Sequence, residues 1–242
     1  RPDDVRTLDY LPFCRIWVDH DEYEGYKSNY PEADIISCPE GVQGNLCRVR
    51  NYILEQEFRR GMDVVLIIDD DFTCLRRYDY DNMDGWGYVP HIITADEFFP
   101  FIEKYSIIAD DFGAKFWGVN CNSDPMAYRH NTPFSTRSYI GGPFQCFLKG
   151  NRWRYDESLP LKEDYDMTIQ QCNRYRGCLR VNFLTYNVKQ SEQAGGCATY
   201  RNYQRETQQL LALQKKWGKK IVRIDGSNKG MTSKQKLIDY NP

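Results

Sequence analysis

Three consecutive carboxylates, Asp69-Asp70-Asp71, follow five apolar and mostly β-branched residues, Val64 to Ile68. The run reads as a buried strand with acids at its C-terminal end. In open α/β sheets, ligands bind in the crevice outside the carboxyl ends of the strands. Adjacent acids repel one another unless a cation or a donor-rich ligand compensates them. Mg²⁺ and Mn²⁺ prefer oxygen ligands, and Mg²⁺ commonly bridges one or two carboxylates to substrate phosphates. The triplet therefore predicts a site for a metal and a diphosphate. The plain alternative is a strand that stops at a solvated acidic turn.

A second acidic cluster lies downstream. Tyr155-Asp156-Glu157 is followed by Glu163-Asp164-Tyr165-Asp166. Glu163, Asp164 and Asp166 fall near the start of a predicted helix, where the helix dipole and capping already favour acids. A carboxylate set in a pocket can also accept the proton of an attacking hydroxyl if its surroundings raise its pKa. Together the two clusters suggest a division of labour. One holds a leaving diphosphate, and the other activates an acceptor.

The elements that must position these acids follow an α/β pattern. Strands are predicted at Cys14 to Val18 and Ala33 to Ser37. Leu46, Val49, Ile53, Leu54 and Phe58 recur with helical period, and Gly61 is a plausible C-cap. The acid-tipped strand comes next. Phe72 to Tyr88 reads as an irregular or hairpin excursion, and Asp96 to Asp110 as a helix with Pro100 in its first turn. Strands follow at Phe116 to Val119, Phe144 to Leu148 and Leu179 to Val188, with helices at Asp164 to Arg176 and Arg201 to Trp217. Asn122 to Arg137 is polar and turn-rich. No repeat or linker interrupts the chain, which predicts one α/β domain.

Composition narrows the class. Hydrophobic residues make up 41% and charged residues 27% of 242, a globular balance without an apolar run long enough to span a membrane. No signal-peptide pattern stands at the start, although a chain beginning at Arg1 leaves room for a trimmed leader. Nine cysteines and three histidines (His20, His91, His130) match no zinc spacing, and the cysteines read as reduced core thiols of a cytoplasmic protein. Of 32 basic and 34 acidic residues, eight basic and one acidic fall between Gln214 and Ile238. A basic end on an acidic body suits an anionic partner, either a diphosphate or a nucleic-acid backbone.

The order of these features resembles the nucleotide-sugar glycosyltransferases of the GT-A fold. In that fold a Rossmann-like nucleotide-binding half with a mixed central sheet is fused to an acceptor-binding half. Asp69-Asp70-Asp71 stands where the family carries its DxD motif. Gly44-Asn45-Leu46 to Arg50-Asn51 resembles the preceding helix, whose Arg-Asn pair abuts the nucleotide. Gly141-Gly142, the strand Phe144 to Phe147, Tyr155-Asp156-Glu157 and Glu163-Asp164-Tyr165-Asp166 resemble the run that leads to the acceptor acid. More narrowly, Val18 to Tyr23, Pro39 to Asn45 and Arg48 to Ile53 are similar to the TET-associated glycosyltransferases, largely phage-encoded enzymes thought to attach sugars to 5-hydroxymethylpyrimidines in DNA.

The resemblance implies a nucleotide-sugar donor, a UDP-sugar in the first instance, with Mn²⁺ or Mg²⁺ on Asp69 and Asp71. Asp69 could alternatively hold the ribose hydroxyls. Gly44, Arg48, Arg50, Asn51, Asp69 and Asp70 would line the donor site. Arg48 and Arg50 are two apart on a helix, so at most one points at the ligand. Asp164 is the expected general base, with Glu163 next and Asp166 nearby. Many GT-A enzymes supply a late histidine to the metal; none follows His130 here, so that ligand is either absent or another residue, such as Asn187. The halves would divide at about residue 120, with residues 12–120 on the donor side and 121–242 on the acceptor side. An extruded DNA base needs an aromatic surface and cations for its phosphates. Tyr78, Tyr80, Trp86, Tyr128, Arg129, His130 and Arg137 are candidates, with Gly141 and Gly142 close to the acceptor. Rival readings are a saccharide or protein acceptor, a nucleotidyltransferase, and a non-catalytic binding module.

Overall fold

The computed structural model describes residues 2–81, 87–124, 128, 131–189, 202–224 and 238–240. Helix α1 (Arg6–Tyr10) leads into strand β1 (Arg15–Val18), helix α2 (Tyr23–Asn29), β2 (Asp34–Ser37) and α3 (Leu46–Arg59). Next come β3 (Val64–Ile68), the strands β4 (Phe72–Asp81) and β5 (Gly87–Ile92), and α4 (Ala95–Asp111). Then β6 (Phe116–Asn120), β7 (Phe134–Ser135), β8 (Phe144–Leu148), α5 (Glu163–Tyr175) and β9 (Leu179–Val188) complete the centre. Helix α6 (Tyr203–Trp217) and the short strands β10 (Val222–Ile224) and β11 (Ile238–Tyr240) close the described chain.

Seven strands form one mixed sheet in the order β3-β8-β6-β9-β4-β5, with β7 also paired to β9. β8 is antiparallel to both β3 and β6, and β6 is parallel to β9. β3, β6 and β9 therefore run in one direction, and their C-terminal ends meet at the same edge. Asp69 to Asp71, Cys121 and the Tyr186 to Lys189 stretch arrive there together. The expected α/β architecture is present, with one difference in detail. β1 and β2 pair in parallel as a separate two-stranded sheet and do not extend the central one.

Side chains alternate across the sheet as strand geometry requires. On one face Trp117, Phe144 and Cys146 pack against Phe98 and Tyr105 of α4. On the other, Val65, Ile67, Phe116, Phe147 and Met167 pack against Cys47 and Leu54 of α3. β3 alternates between buried and half-buried residues, where a wholly buried strand was expected. The reason is its place at the end of the sheet. A cavity of about 530 Å³ lies between β3, β1 and α3, walled by Trp17, Phe13, Phe98 and Phe99 and reaching Arg50, Asp69 and Asp70.

Local chemistry sets the helix that matters most to the site. The Asn45 side chain caps α3 by accepting from the N–H groups of Cys47 (2.9 Å) and Arg48 (3.3 Å). Gly61, at φ +90°, lets the chain leave the helix in the left-handed region. Asn51 faces the segment before α5. Its amide donates to the Tyr155 carbonyl (2.9 Å), and its carbonyl accepts from the Tyr155 N–H (2.7 Å). Asn51 thus acts as a two-point tie between distant stretches, and its side-chain amide is spent on this chain's own backbone. Asn51→Ala leaves both Tyr155 groups without these partners. It should lower stability by about 1–3 kcal/mol, read as a drop in the urea midpoint at unchanged m-value.

Candidate active site

Arg50 projects from the middle of α3 into the crevice at the end of the sheet. It is 2% exposed. Its Nη2 donates to Asp69 Oδ1 at 2.7 Å and to the Gly142 carbonyl at 3.2 Å, and its Nη1 reaches Glu163 Oε1 at 3.3 Å. The guanidinium lies 5.7 Å from the centre of the Tyr155 ring. One buried cation therefore joins the tip of β3, the turn before β8 and the first turn of α5. The two acidic clusters, 94 positions apart from Asp69 to Glu163, are neighbours through it.

The polypeptide around the acids is tightly held. Thr7 of α1 donates its N–H to the Asp70 carbonyl (3.2 Å) and its hydroxyl to the Asp69 carbonyl (2.6 Å). The Lys189 N–H donates to the Asp71 carbonyl (3.0 Å), which puts the end of β9 beside the triplet. Asn187 lies on that strand end, paired in register with Cys74. Gly141 N–H donates to Cys121 Sγ at 3.2 Å. A Cβ at Gly141 would sit 2.7 Å from both Cys121 Sγ and Tyr186 Oη, whereas one at Gly142 would make only ordinary contact, 3.4 Å, with the Arg50 guanidinium. The missing side chain at Gly141 lets the backbone approach the thiol and the phenol closely.

Asp164 and Glu163 occupy different environments. Asp164 is half-buried; the Tyr139 hydroxyl donates to its Oδ2, and the Tyr165 N–H to its Oδ1 at 2.8 Å. The Tyr139 and Tyr165 rings stack with centres 4.3 Å apart. Glu163 is buried behind Asp164. Burial first, and the neighbouring Asp164 second, push its carboxyl up to about 8, against the pull of Arg50. Tyr155 lies under the same guanidinium, and its hydroxyl donates to the fully buried Gln145.

The remaining expected residues divide clearly. Arg48 stands apart from the acids of the crevice: its Nε pairs with Glu157 (2.9 Å) and its Nη1 donates to the Gly41 carbonyl (2.9 Å). Of the two arginines, only Arg50 meets Asp69. Gly44, at φ +86°, makes the turn into the α3 cap. Asp166, grouped above with the catalytic acids, is wholly buried and engaged by Gln170, Lys216 and Trp217, so it has no approach to a substrate. Trp86, Arg129 and His130 lie outside the described residues. Tyr139, Cys121, Tyr186 and Gln145 complete the site without a signal in the sequence. Tyr139 and Cys121 enter through contacts to Asp164 and Gly141, 25 and 20 positions away, and Gln145 through Tyr155, 10 positions away.

A family model described as TET-Associated Glycosyltransferase matches residues 13–196. The chain belongs to this family. It is a glycosyltransferase, and family membership implies a nucleotide-sugar donor. The matched stretch runs from just before β1 to just beyond β9 and holds both acidic clusters, Arg50 and the glycine pair. No curated protein and no solved structure matches the chain. Among the described residues, no helix is long and apolar enough to cross a membrane.

The raised Glu163 carboxyl gives this glycosyltransferase a stability signature. A carboxyl whose folded pKa lies above its unfolded value binds more protons in the folded state, so stability falls as pH rises between the two. Asp156 is held down to about 2 and acts in a separate window below pH 4. The wild-type Tm should therefore contain a component that declines between pH 5 and 8, and Glu163→Gln should remove it. Tm curves for the two proteins that stay parallel across that range would contradict the assignment.

Proposed function

We propose that the chain transfers a sugar from a nucleotide sugar, a UDP-sugar in the first instance, to the hydroxymethyl group of 5-hydroxymethylcytosine or a related pyrimidine in DNA. The observation that carries the transfer chemistry is the Arg50 bridge, which sets a donor-side acid and an acceptor-side acid against one cation. The DNA acceptor rests on the similarity of Val18 to Tyr23, Pro39 to Asn45 and Arg48 to Ile53 to the family, together with the basic C-terminal stretch. We read the chain as one domain with a donor half at about residues 12–120 and an acceptor half at 121–242.

On the donor side, the cavity beside β3 gives room for the nucleoside, and its polar end at Asp69 and Asp70 faces the diphosphate. The donor set around the triplet is all oxygen, which suits Mg²⁺ or Mn²⁺. Among the described residues no three His, Cys, Asp or Glu side chains converge to hold a metal. Mg²⁺ often needs only one or two carboxylates, with phosphates and water completing its shell. Asp71, assisted by Asp69, would hold it, with Asn187 on the neighbouring strand end. When bound, the metal neutralises charge developing on the leaving diphosphate. Asp69 keeps its Arg50 contact and orients the ribose side.

On the acceptor side, Asp164 takes the proton from the hydroxymethyl oxygen as that oxygen attacks the anomeric carbon. Tyr139 and the Tyr165 N–H fix the carboxylate, and each carboxylate oxygen keeps a second lone pair for the incoming hydroxyl. The bond to the diphosphate breaks on the opposite face, so the reaction inverts the anomeric centre. Glu163 stays behind Asp164 as the partner of Arg50.

The test is an acceptor assay. The protein is incubated with Mn²⁺ or Mg²⁺, a panel of UDP-sugars and DNA containing 5-hydroxymethylcytosine, and the digested nucleosides are weighed by mass spectrometry. A hexose-sized or N-acetylhexosamine-sized gain that EDTA and Asp71→Ala both abolish is expected. Asp164→Asn should remove transfer by about 10²-fold or more while donor affinity persists. Donor hydrolysis without any gain on DNA would move the acceptor to a saccharide or protein. Undiminished transfer by Asp164→Asn would remove it as the base.

A further inference from the structure

Helix α6 lies beyond the stretch that matches the family model, yet it grips the start of α5 on both sides of the acid pair. Ahead of the pair, the Leu161 N–H donates to Gln209 Oε1 (2.7 Å), and the buried Lys162 ammonium pairs with the buried Glu206. Behind it, the Asp166 carboxylate accepts from Trp217 Nε1 (2.7 Å) and from Lys216 Nζ (2.9 Å). Lys216 also reaches Asp156 at 2.7 Å. No side chain caps the N-terminus of α5 at Lys162.

Docking alone does not need this network. Leu210, Leu213 and Val222 already cover Leu159 and Ile169. A buried ion pair adds little stability beyond what apolar side chains of similar size would give. What it adds is direction. Residues two apart on a helix point about 200° apart, so Asp166 faces α6 while Asp164 faces Tyr139 on the far side. Pinning one side of the turn aims the other.

We propose that Asp166 is a positioning residue: gripped by Lys216 and Trp217 of α6, it fixes the rotation of the first turn of α5 and so aims Asp164 at the acceptor hydroxyl. This rests on the reading of Asp164 as the base. Two variants test it in the full chain. Trp217→Phe keeps the ring and removes the N–H; Lys216→Met keeps the stem and removes the charge. Each should fold, lower kcat for transfer about tenfold, and leave KM for the nucleotide sugar within about twofold. Hydrogen exchange should quicken at amides 163–167 and stay unchanged across 46–59. Unchanged kcat in the folded variants overturns the proposal, as does a rise in donor KM that matches the loss of activity. If the wild-type chain transfers sugar to no acceptor tried, the reading of the active site falls separately. The grip is then judged by exchange alone: quickening at 163–167 upholds it, and unchanged exchange there sinks it.

Discussion

The structure depends on a single buried guanidinium. Taking Arg50 out of water is costly, and the cost is recovered only if its surroundings supply charge and acceptors. Asp69, Glu163, the Gly142 carbonyl and the Tyr155 ring do so from four separate segments. Its Nε remains without a hydrogen-bond partner. Each of those segments is therefore constrained in position by the same cation. The end of β3 cannot drift from the start of α5 without stranding a charge in the interior.

The sheet makes that convergence possible. An antiparallel β8 inserted between β3 and β6 leaves three strands pointing the same way, and their ends deliver acids, a thiol and Tyr186 to one rim. Gly141 lets the returning chain pass over that rim at contact distance. The polar end of the neighbouring cavity faces the same rim, so the cavity and the Glu163 carboxyl share Arg50 as a common wall.

Much of this is legible in the sequence where the signal is local. Leu179 to Val188 and Phe144 to Leu148 are strands with the expected limits, and the helical period from Leu46 to Phe58 marks α3. The acid clusters announce themselves by charge at element ends. What the sequence conceals is non-local. Arg48 and Arg50 look alike in a string of letters, and only the rotation of α3 separates a surface ion pair from the buried bridge. Asp166 looks like Asp164 until Trp217, 51 positions later, is found against it. The edge position of β3, the early helices α1 and α2, and the detachment of β1 and β2 likewise depend on pairing partners that no short window contains.

Cys121 carries a consequence for the handling of this protein. Its sulfur sits at the centre of the rim, but burial raises its pKa, outweighing the hydrogen bond from Tyr186 that pulls it down. A thiol kept protonated and packed against a glycine is a poor nucleophile. Burial also holds Cys14 and Cys38 up to about 11. Alkylating reagents and mild oxidants should therefore pass over these three sulfurs. Resistance of the activity to such reagents would say nothing about how near a cysteine lies to the chemistry.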